Sequence, residues 1–455
     1  MRKGVKPSFS KKWLHRRRPL SELAGDGKGA FVIIFALMLP LLIWSIGVGV
    51  EVGNWYANLR NLQGAADAAA VAGVYEVWDA SSISDSQTEL LPRATAEAER
   101  NGLNASASDT ITLNYYDEIA AGDYSTDYST DNGAVEVILS QAVDLYFAGW
   151  FMDTSTVTVN AQAVATLGTS SEACVLTLGT SGTGFSASGN STVDLSGCSI
   201  AVNSTDSDDA MQTSGGSTTV NTDCYSVVGG TDFQDPDNVT TSCSSASTGA
   251  HAATDPYADT VQPVESDYTS RCTSVPTCNA AVNTGSLEEG VYSQLTLQGT
   301  VDLAGGVYYI KGGNLKVNAN AVITNNDGLG VTFFLTNDGS NWPTVTISGG
   351  AQMTLSAPDD DTNPYYGLLF YQDQDTPPTQ AITLNGGADT NFTGALYFPS
   401  GDVSVSGNSS MDSTCIQIIS YTVSFSGDTD MDNDCDMLSS GSGNSIDIEE
   451  VTLVE

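Results

Sequence analysis

Apolar positions follow three different rhythms along the chain. Residues 30 to 50, AFVIIFALMLPLLIWSIGVGV, form an unbroken apolar run of 21 residues without a charge. A helix of that length, at about 1.5 Å per residue, spans the roughly 30 Å hydrocarbon core of a bilayer. Pro40 is tolerated in such a helix. A cleaved signal peptide would have a shorter apolar core followed closely by a small-residue site, so an uncleaved single-pass anchor is expected. Residues 51 to 80 continue as a helical stalk, with Leu59, Leu62, Ala66, Ala69 and Gly73 at three- and four-residue steps. That narrow, small-residue face suits close packing, either on the protein's own domain or on a related helix of a partner.

Residues 81 to 167 read as a small α+β module. A helix capped by Asp85 or Ser86, or beginning at Pro92, runs to Arg100 and stops at Asn101-Gly102. Residues 111–115, 135–139 and 157–161 alternate as strands, while 123–132 is polar loop.

Beyond residue 168 the helical rhythm disappears. A short alternating stretch is followed again and again by Ser or Asn, then Gly, then Asn, Gly or Asp. The markers fall at positions 189, 215, 299, 319, 349, 386, 407 and 427, and the last six are separated by steps of 20, 30, 37, 21 and 20. Short strands with tight turns at a period near 20 predict a parallel β-helix over 168–443. A β-sandwich is the alternative fold. The gap between 215 and 299 predicts an irregular, protruding loop region at about 231–290, and residues 444–455 an acidic C-terminal tail. Cys415 and Cys435 each follow their turn glycine by eight residues, so in stacked coils they are neighbours within disulfide reach. Cys198 and Cys224 each lie nine after theirs, and Cys174 lies 24 before Cys198, so these three stack as well and only two of them can pair.

Charge fixes the topology. Residues 1–29, the basic cytoplasmic tail, hold nine basic and two acidic residues, and the residues after 50 hold six basic against 52 acidic. The positive-inside rule puts the N-terminus in the cytoplasm and the body outside it. So acidic a body is repelled by phosphate backbones, which excludes nucleic acid as a partner. Eight cysteines, all after residue 170 and without a metal-ligand spacing, fit disulfides in an oxidising compartment.

The stretch from Gly29 through Glu51, Gly53 and Leu62-Gln63-Gly-Ala65-Ala66-Asp67-Ala-Ala-Ala resembles the N-terminal segment of TadG-like Flp (Tad) pilus-assembly proteins. Residues 135 to 165 extend that resemblance. It implies an accessory protein of the bacterial inner membrane, with its body periplasmic or at the cell surface, working with other TadE/G-like proteins. Pilins of such systems carry Glu at the fifth residue after the Gly; here that residue is Ile34, which argues against a major subunit. The resemblance also implies a Cys174–Cys198 disulfide, leaving Cys224–Cys243 and Cys272–Cys278 by elimination.

Little chemistry stands out. The distal region has only Arg271, Lys311 and Lys316 as cations, too few for a uronate lyase, and no nucleophile motif. Asp428, Asp430 and Asp432 open like a calcium loop, but Asn433 and Ser439 stand where its Gly and Glu belong. They are the calcium candidates; no other cofactor is expected. Asp402-Val-Ser-Val-Ser406 matches a metal-dependent adhesion motif by letters alone. Trp342, Tyr365, Tyr366 and Tyr371 are candidates for stacking on a surface glycan. The expected function is non-enzymatic: a structural accessory of a Tad/Flp pilus apparatus. A glycan-binding adhesin is the alternative, and a β-helix carbohydrate-active enzyme the least favoured reading.

Overall fold

A computed structural model describes residues 27–79, 83–103, 109–115, 118–119, 133–149, 153–189, 191–195, 197–243, 246–271, 279–385, 389–407, 409–411, 415–431 and 445–454. The chain is mainly β with an N-terminal apolar helix, and it divides into two compact units: Met1–Leu167 with Val451–Glu455, and Gly168–Glu450.

In the first unit one helix, α1 (Gly27–Asp79), runs unbroken for 53 residues, about 80 Å. From Phe31 to Val50 every residue except Gly47 is exposed. Among the described residues this is the one helix long and apolar enough to cross a membrane. Its second half is no free stalk. Leu62, Ala65, Ala66, Ala69, Ala70 and Val74 are fully buried, packed with Ala94 and Ala98 of α2 (Ile83–Arg100) and with Val135, Val137, Leu139, Ala161, Ala163 and Ala165 of a sheet. The small-residue face therefore packs on its own domain, apart from Leu59, which stays exposed. Small side chains let the helix come close enough that a Cβ on Gly73 would lie 2.9 Å from Val135 Cγ1. The α2 helix begins at Ile83 and runs through Pro92.

That sheet is antiparallel: β1 (Thr110–Tyr115) pairs with β2 (Val135–Asp144), which pairs with the first half of β3 (Thr156–Thr177). The C-terminus adds to its edge, Val454 N–H donating to Val164 O at 2.9 Å. The acidic tail expected at 444–455 is thus a strand over Ile446–Leu453, with Ile446 and Ile448 buried. Ile446 and Ile448, and then Val451 and Leu453, explain why: each pair alternates apolar with polar, and the phase shifts by one residue at Glu449-Glu450.

In the second unit every strand pairing among the described residues is parallel. The strands form three ladders around one apolar core. In one ladder Leu297 opposes Val317, Val317 opposes Ile347, Ile347 opposes Leu384, Leu384 opposes Val405, and Val405 opposes Phe425. These register offsets equal the marker steps of the sequence, because each marker lies two residues past the ladder residue in sequence, and the described markers are corners between that ladder and the next. The corners need left-handed backbone, as at Gly407 (φ 79°) and Gly427 (φ 120°), and a Cβ on Gly427 would lie 2.6 Å from the Gly407 backbone.

The rungs do not stack in chain order. After Cys415–Ser426 the next rung is Val175–Thr177 and Phe185–Ser188, followed by Ser199–Val202 and Met211–Ser214. Strands Thr231–Phe233, Val239–Thr241 and Ser247–Thr248 make one end rung, and Asn279–Leu287 with Gly290–Tyr292 the other. The region 231–290 is therefore no protruding loop. Its flanks are end rungs, and residues 249–271 run along the stack between them.

Candidate functional site

Four aromatic doublets define the most structured surface of the second unit: Tyr308-Tyr309, Phe333-Phe334, Phe370-Tyr371 and Tyr397-Phe398. In each, one ring enters the core and the other points outward. The inner row stacks at 5.4 Å (Tyr308–Phe333) and 5.1 Å (Phe333–Phe370). The outer row continues through Tyr309–Phe334 at 5.1 Å, Phe334–Tyr371 at 5.2 Å and Tyr371–Tyr397 at 5.6 Å. Exposed, that outer row would be a large apolar stripe. Residues 249–271 cover it as a strap.

The strap is held by side chains reaching from separate rungs. Asn203 donates to Ala253 O and accepts from Ala253 N–H, both at 2.8 Å. Tyr397 OH donates to Asp255 Oδ2 at 2.8 Å, and Tyr371 OH donates to Thr260 O at 2.8 Å. Gln374 Nε2 donates to Tyr257 O at 2.9 Å. Lys311 Nζ meets Glu265 Oε2 at 2.6 Å, and the Tyr268 ring lies 6.2 Å from that of Tyr309. Tyr257 is the apolar plug: it is 1% exposed, with its ring 5.4 Å from that of Tyr397. Its hydroxyl has no hydrogen-bond partner among the described residues. Burial pushes the Asp255 carboxyl above its ordinary value, against the lowering by the Tyr257 amide and the Tyr397 hydroxyl.

Beside the strap opens a pocket of about 190 Å³, lined by Tyr257, Thr260, Asp361, Asn363, Tyr366 and others. The loop forming its far wall is set by Asp360, whose carboxylate accepts from the Thr362 hydroxyl at 2.7 Å and amide at 2.9 Å. Two aromatic rings, a carboxylate and an amide are groups that recognise a hydroxyl-rich ligand, and the volume admits no more than one sugar ring.

The residues singled out in the sequence are dispersed. Of the aromatic candidates, Tyr371 and Tyr365 are buried under or beside the strap, Tyr366 lines the pocket, and Trp342 is half-buried elsewhere. A stacking platform built of all four is thereby ruled out. Asp428 Oδ1 accepts from Thr192 N–H at 3.0 Å, Asp430 lies in the strand Thr429–Met431, and Asp432 is outside the described residues. Among the described residues no group of three or more acidic, His or Cys side chains could hold a metal. Asp402 Oδ1 accepts from the Thr422 hydroxyl at 2.9 Å, within a ladder. Cys174 is bonded to Cys198 with Cα atoms 5.5 Å apart, and Cys224 to Cys243 at 5.4 Å, in each case joining neighbouring rungs. Cys415 is disulfide-bonded, while Cys435, Cys272 and Cys278 lie outside the described residues.

The strap anchors Asn203, Asp255 and Tyr257 carry no local signature, since their partners lie 50 residues or more away. The doublets did carry one. Two adjacent aromatics in a strand put one on each face, and a strand apolar on both faces is covered on both.

In the first unit the motif residues split between structure and surface. Leu62, Ala65 and Ala66 are core, Gln63 Nε2 donates to Asp67 Oδ1 and to Gln162 O, both at 2.8 Å, and Gly53 is exposed. Gly29 lies in α1. Glu51 is buried, and its carboxylate accepts the backbone N–H of Tyr146, Phe147 and Ala148 at 2.9, 2.7 and 2.8 Å. Burial alone would raise this carboxyl; the three amides together outweigh it and hold it below the usual carboxylate range.

Residues 29–81 match the family model described as putative Flp pilus-assembly TadE/G-like, and residues 69–165 match that described as putative Tad-like Flp pilus-assembly. The two matches overlap within α1 and end at the sheet of the first unit, so both lie within that unit. No curated protein and no solved structure matches the chain.

Proposed function

We propose that the protein is a membrane-anchored, non-enzymatic accessory of a Tad/Flp-type pilus apparatus, presenting a parallel β-helix outside the cytoplasm. The carrying observation is that both pilus-assembly matches fall on the unit holding the bare apolar helix, from residue 29 to 165. The basic N-terminal flank supports a cytoplasmic N-terminus and a single pass through the inner membrane. Three parallel ladders whose corners recur at the sequence period support the β-helix reading. Its rungs, at about 4.8 Å each, make a rigid element suited to scaffolding. Two of the three cations of the second unit already face carboxylates, Arg271 Glu288 and Lys311 Glu265, which leaves little to clamp an anionic polymer. Because the small-residue face of α1 is used internally, contact with other TadE/G-like proteins falls to the exposed part of the helix, around Tyr56.

Deleting the gene in its own host and counting surface pili tests this reading. Pilus loss, restored by the full chain, is expected. Undiminished pili would overturn it. A photo-crosslinking residue at Tyr56 should capture a second TadE/G-like protein.

The pocket at Tyr366 favours one second reading, a glycan-binding adhesin. Glycan-array binding abolished by Tyr366→Ala would establish it, and turnover of a polysaccharide would establish an enzyme instead.

A further inference from the structure

We infer that the uncharged loop segment 145–149 is a second membrane contact, lying in the headgroup–acyl boundary beside the outer end of the span. This rests on the anchoring reading above. From Leu145 to Gly149 the chain reads Leu-Tyr-Phe-Ala-Gly, with two aromatics and no charge. Tyr146 is 63% exposed and Phe147 44%. Side chains of this kind, exposed yet amphipathic or apolar, collect at membrane interfaces.

Two contacts set the depth of the loop. Glu51, the first charged residue past the apolar run, holds the amides of Tyr146, Phe147 and Ala148 in its carboxylate. The Phe147 ring then reaches back along the helix to Gly47, where a Cβ would meet its Cδ1 at 2.8 Å. Gly47 lies one helical turn, about 5.4 Å, inside the run. If the run is in lipid, a phenyl ring against Gly47 is at lipid depth too. Gly47 is the buried residue of that run because the ring covers it.

The carboxylate also removes the obstacle to bringing irregular backbone to the boundary. Three N–H groups that would otherwise demand water are already satisfied, and charge-assisted. The occupant is lipid rather than a protein chain because the loop continues the exposed apolar surface that runs from Phe31 to Val50. The loop would fix how deep the helix sits and which way it faces.

The test uses the full chain in nanodiscs of phosphatidylethanolamine and phosphatidylglycerol. Among the described residues no cysteine is free, and labelling of the unsubstituted chain is measured as the background because Cys272, Cys278 and Cys435 lie outside them. Labels are placed at Tyr146→Cys, at Leu41→Cys in mid-span, and at Thr154→Cys as the aqueous reference. Collisions with oxygen and with a nickel chelate report lipid and water. The Tyr146 label is expected to lie between the two references, with nickel collisions well below and oxygen collisions above those at Thr154, and to revert to Thr154 behaviour when Glu51→Gln is added. A Tyr146 label as nickel-accessible as the Thr154 label, beside a protected Leu41 label, overturns the inference and leaves the anchor standing. Nickel access at both positions sinks the anchor reading as well. Protection at Tyr146 accompanied by spin–spin broadening that disappears on dilution with unlabelled protein shows a second chain instead of lipid, and also overturns it.

Discussion

Replacing Tyr257 by Phe is expected to tighten the strap, while the same replacement at Tyr371 loosens it. Both rings lie in the covered aromatic row, and both variants keep the ring. They differ in the hydroxyl. Tyr371 OH donates to Thr260 O at 2.8 Å, so its removal leaves that carbonyl unpaired under the strap. The cost is about 1 kcal/mol, or about fivefold in the strap's opening equilibrium. Tyr257 OH is buried without a partner, so its removal takes away a desolvation penalty of about 1 to 2 kcal/mol. Truncation to Ala at Tyr257 removes the plug altogether and costs about 3 to 5 kcal/mol. Amide hydrogen exchange reads these differences locally. The Ala253 N–H, bonded to Asn203 Oδ1 on a rung, is protected only while the strap is docked. Its exchange should slow several-fold in Tyr257→Phe, quicken about fivefold in Tyr371→Phe, and quicken more than about a hundredfold in Tyr257→Ala. Faster exchange in Tyr257→Phe would refute the reasoning, since it would mean that the hydroxyl is satisfied.

Gly73→Val should destabilise the first unit by about 1 to 3 kcal/mol, because the added carbons meet Val135; a lowered thermal midpoint checks it, and an unchanged one contradicts the close helix–sheet approach. Replacing Cys174 and Cys198 together by Ala should cost about 3 kcal/mol through loss of a cross-link across 24 residues, read in urea denaturation against the oxidised parent. The raised Asp255 carboxyl binds its proton more tightly folded than unfolded, so its contribution is fully present below the ordinary carboxylate value of 3.8 and is lost as pH rises from there through the raised folded value. Asp255→Asn should therefore gain thermal stability relative to the parent as pH rises through that window; a difference that stays flat with pH would show that this carboxyl does not titrate in the fold.

The apolar run, the α+β alternation and the recurring Ser/Asn-Gly corner were all legible in the sequence because each is local. Inward-facing Leu, Val and Ile recur at the same offset from every corner, so marker steps of 20, 30, 37, 21 and 20 are also the ladder offsets. Even the rung-to-rung proximity of Cys198 and Cys224 follows from counting residues after a glycine, and that of Cys174 from its 24-residue distance to Cys198. The small-residue face of α1 was legible as a face, but not the sheet that fills it.

What the sequence could not decide is which end of one coil stacks on another. Every parallel coil offers the same backbone N–H and C=O groups at both ends, so the ladder itself does not distinguish a sequential neighbour from a distant one. Only the folded chain places Phe425 against Ala187 and the end rungs at 231–248 and 279–292. That choice separates the two ends of the irregular segment, and the segment must then run along the stack. There it meets an aromatic row that would otherwise be exposed, and burial of those rings turns an apparent loop into the strap. Glu51 follows the same logic. As a residue type after an apolar run it marks a boundary; only the tertiary structure brings three amides from a loop some ninety-five residues away into its carboxylate.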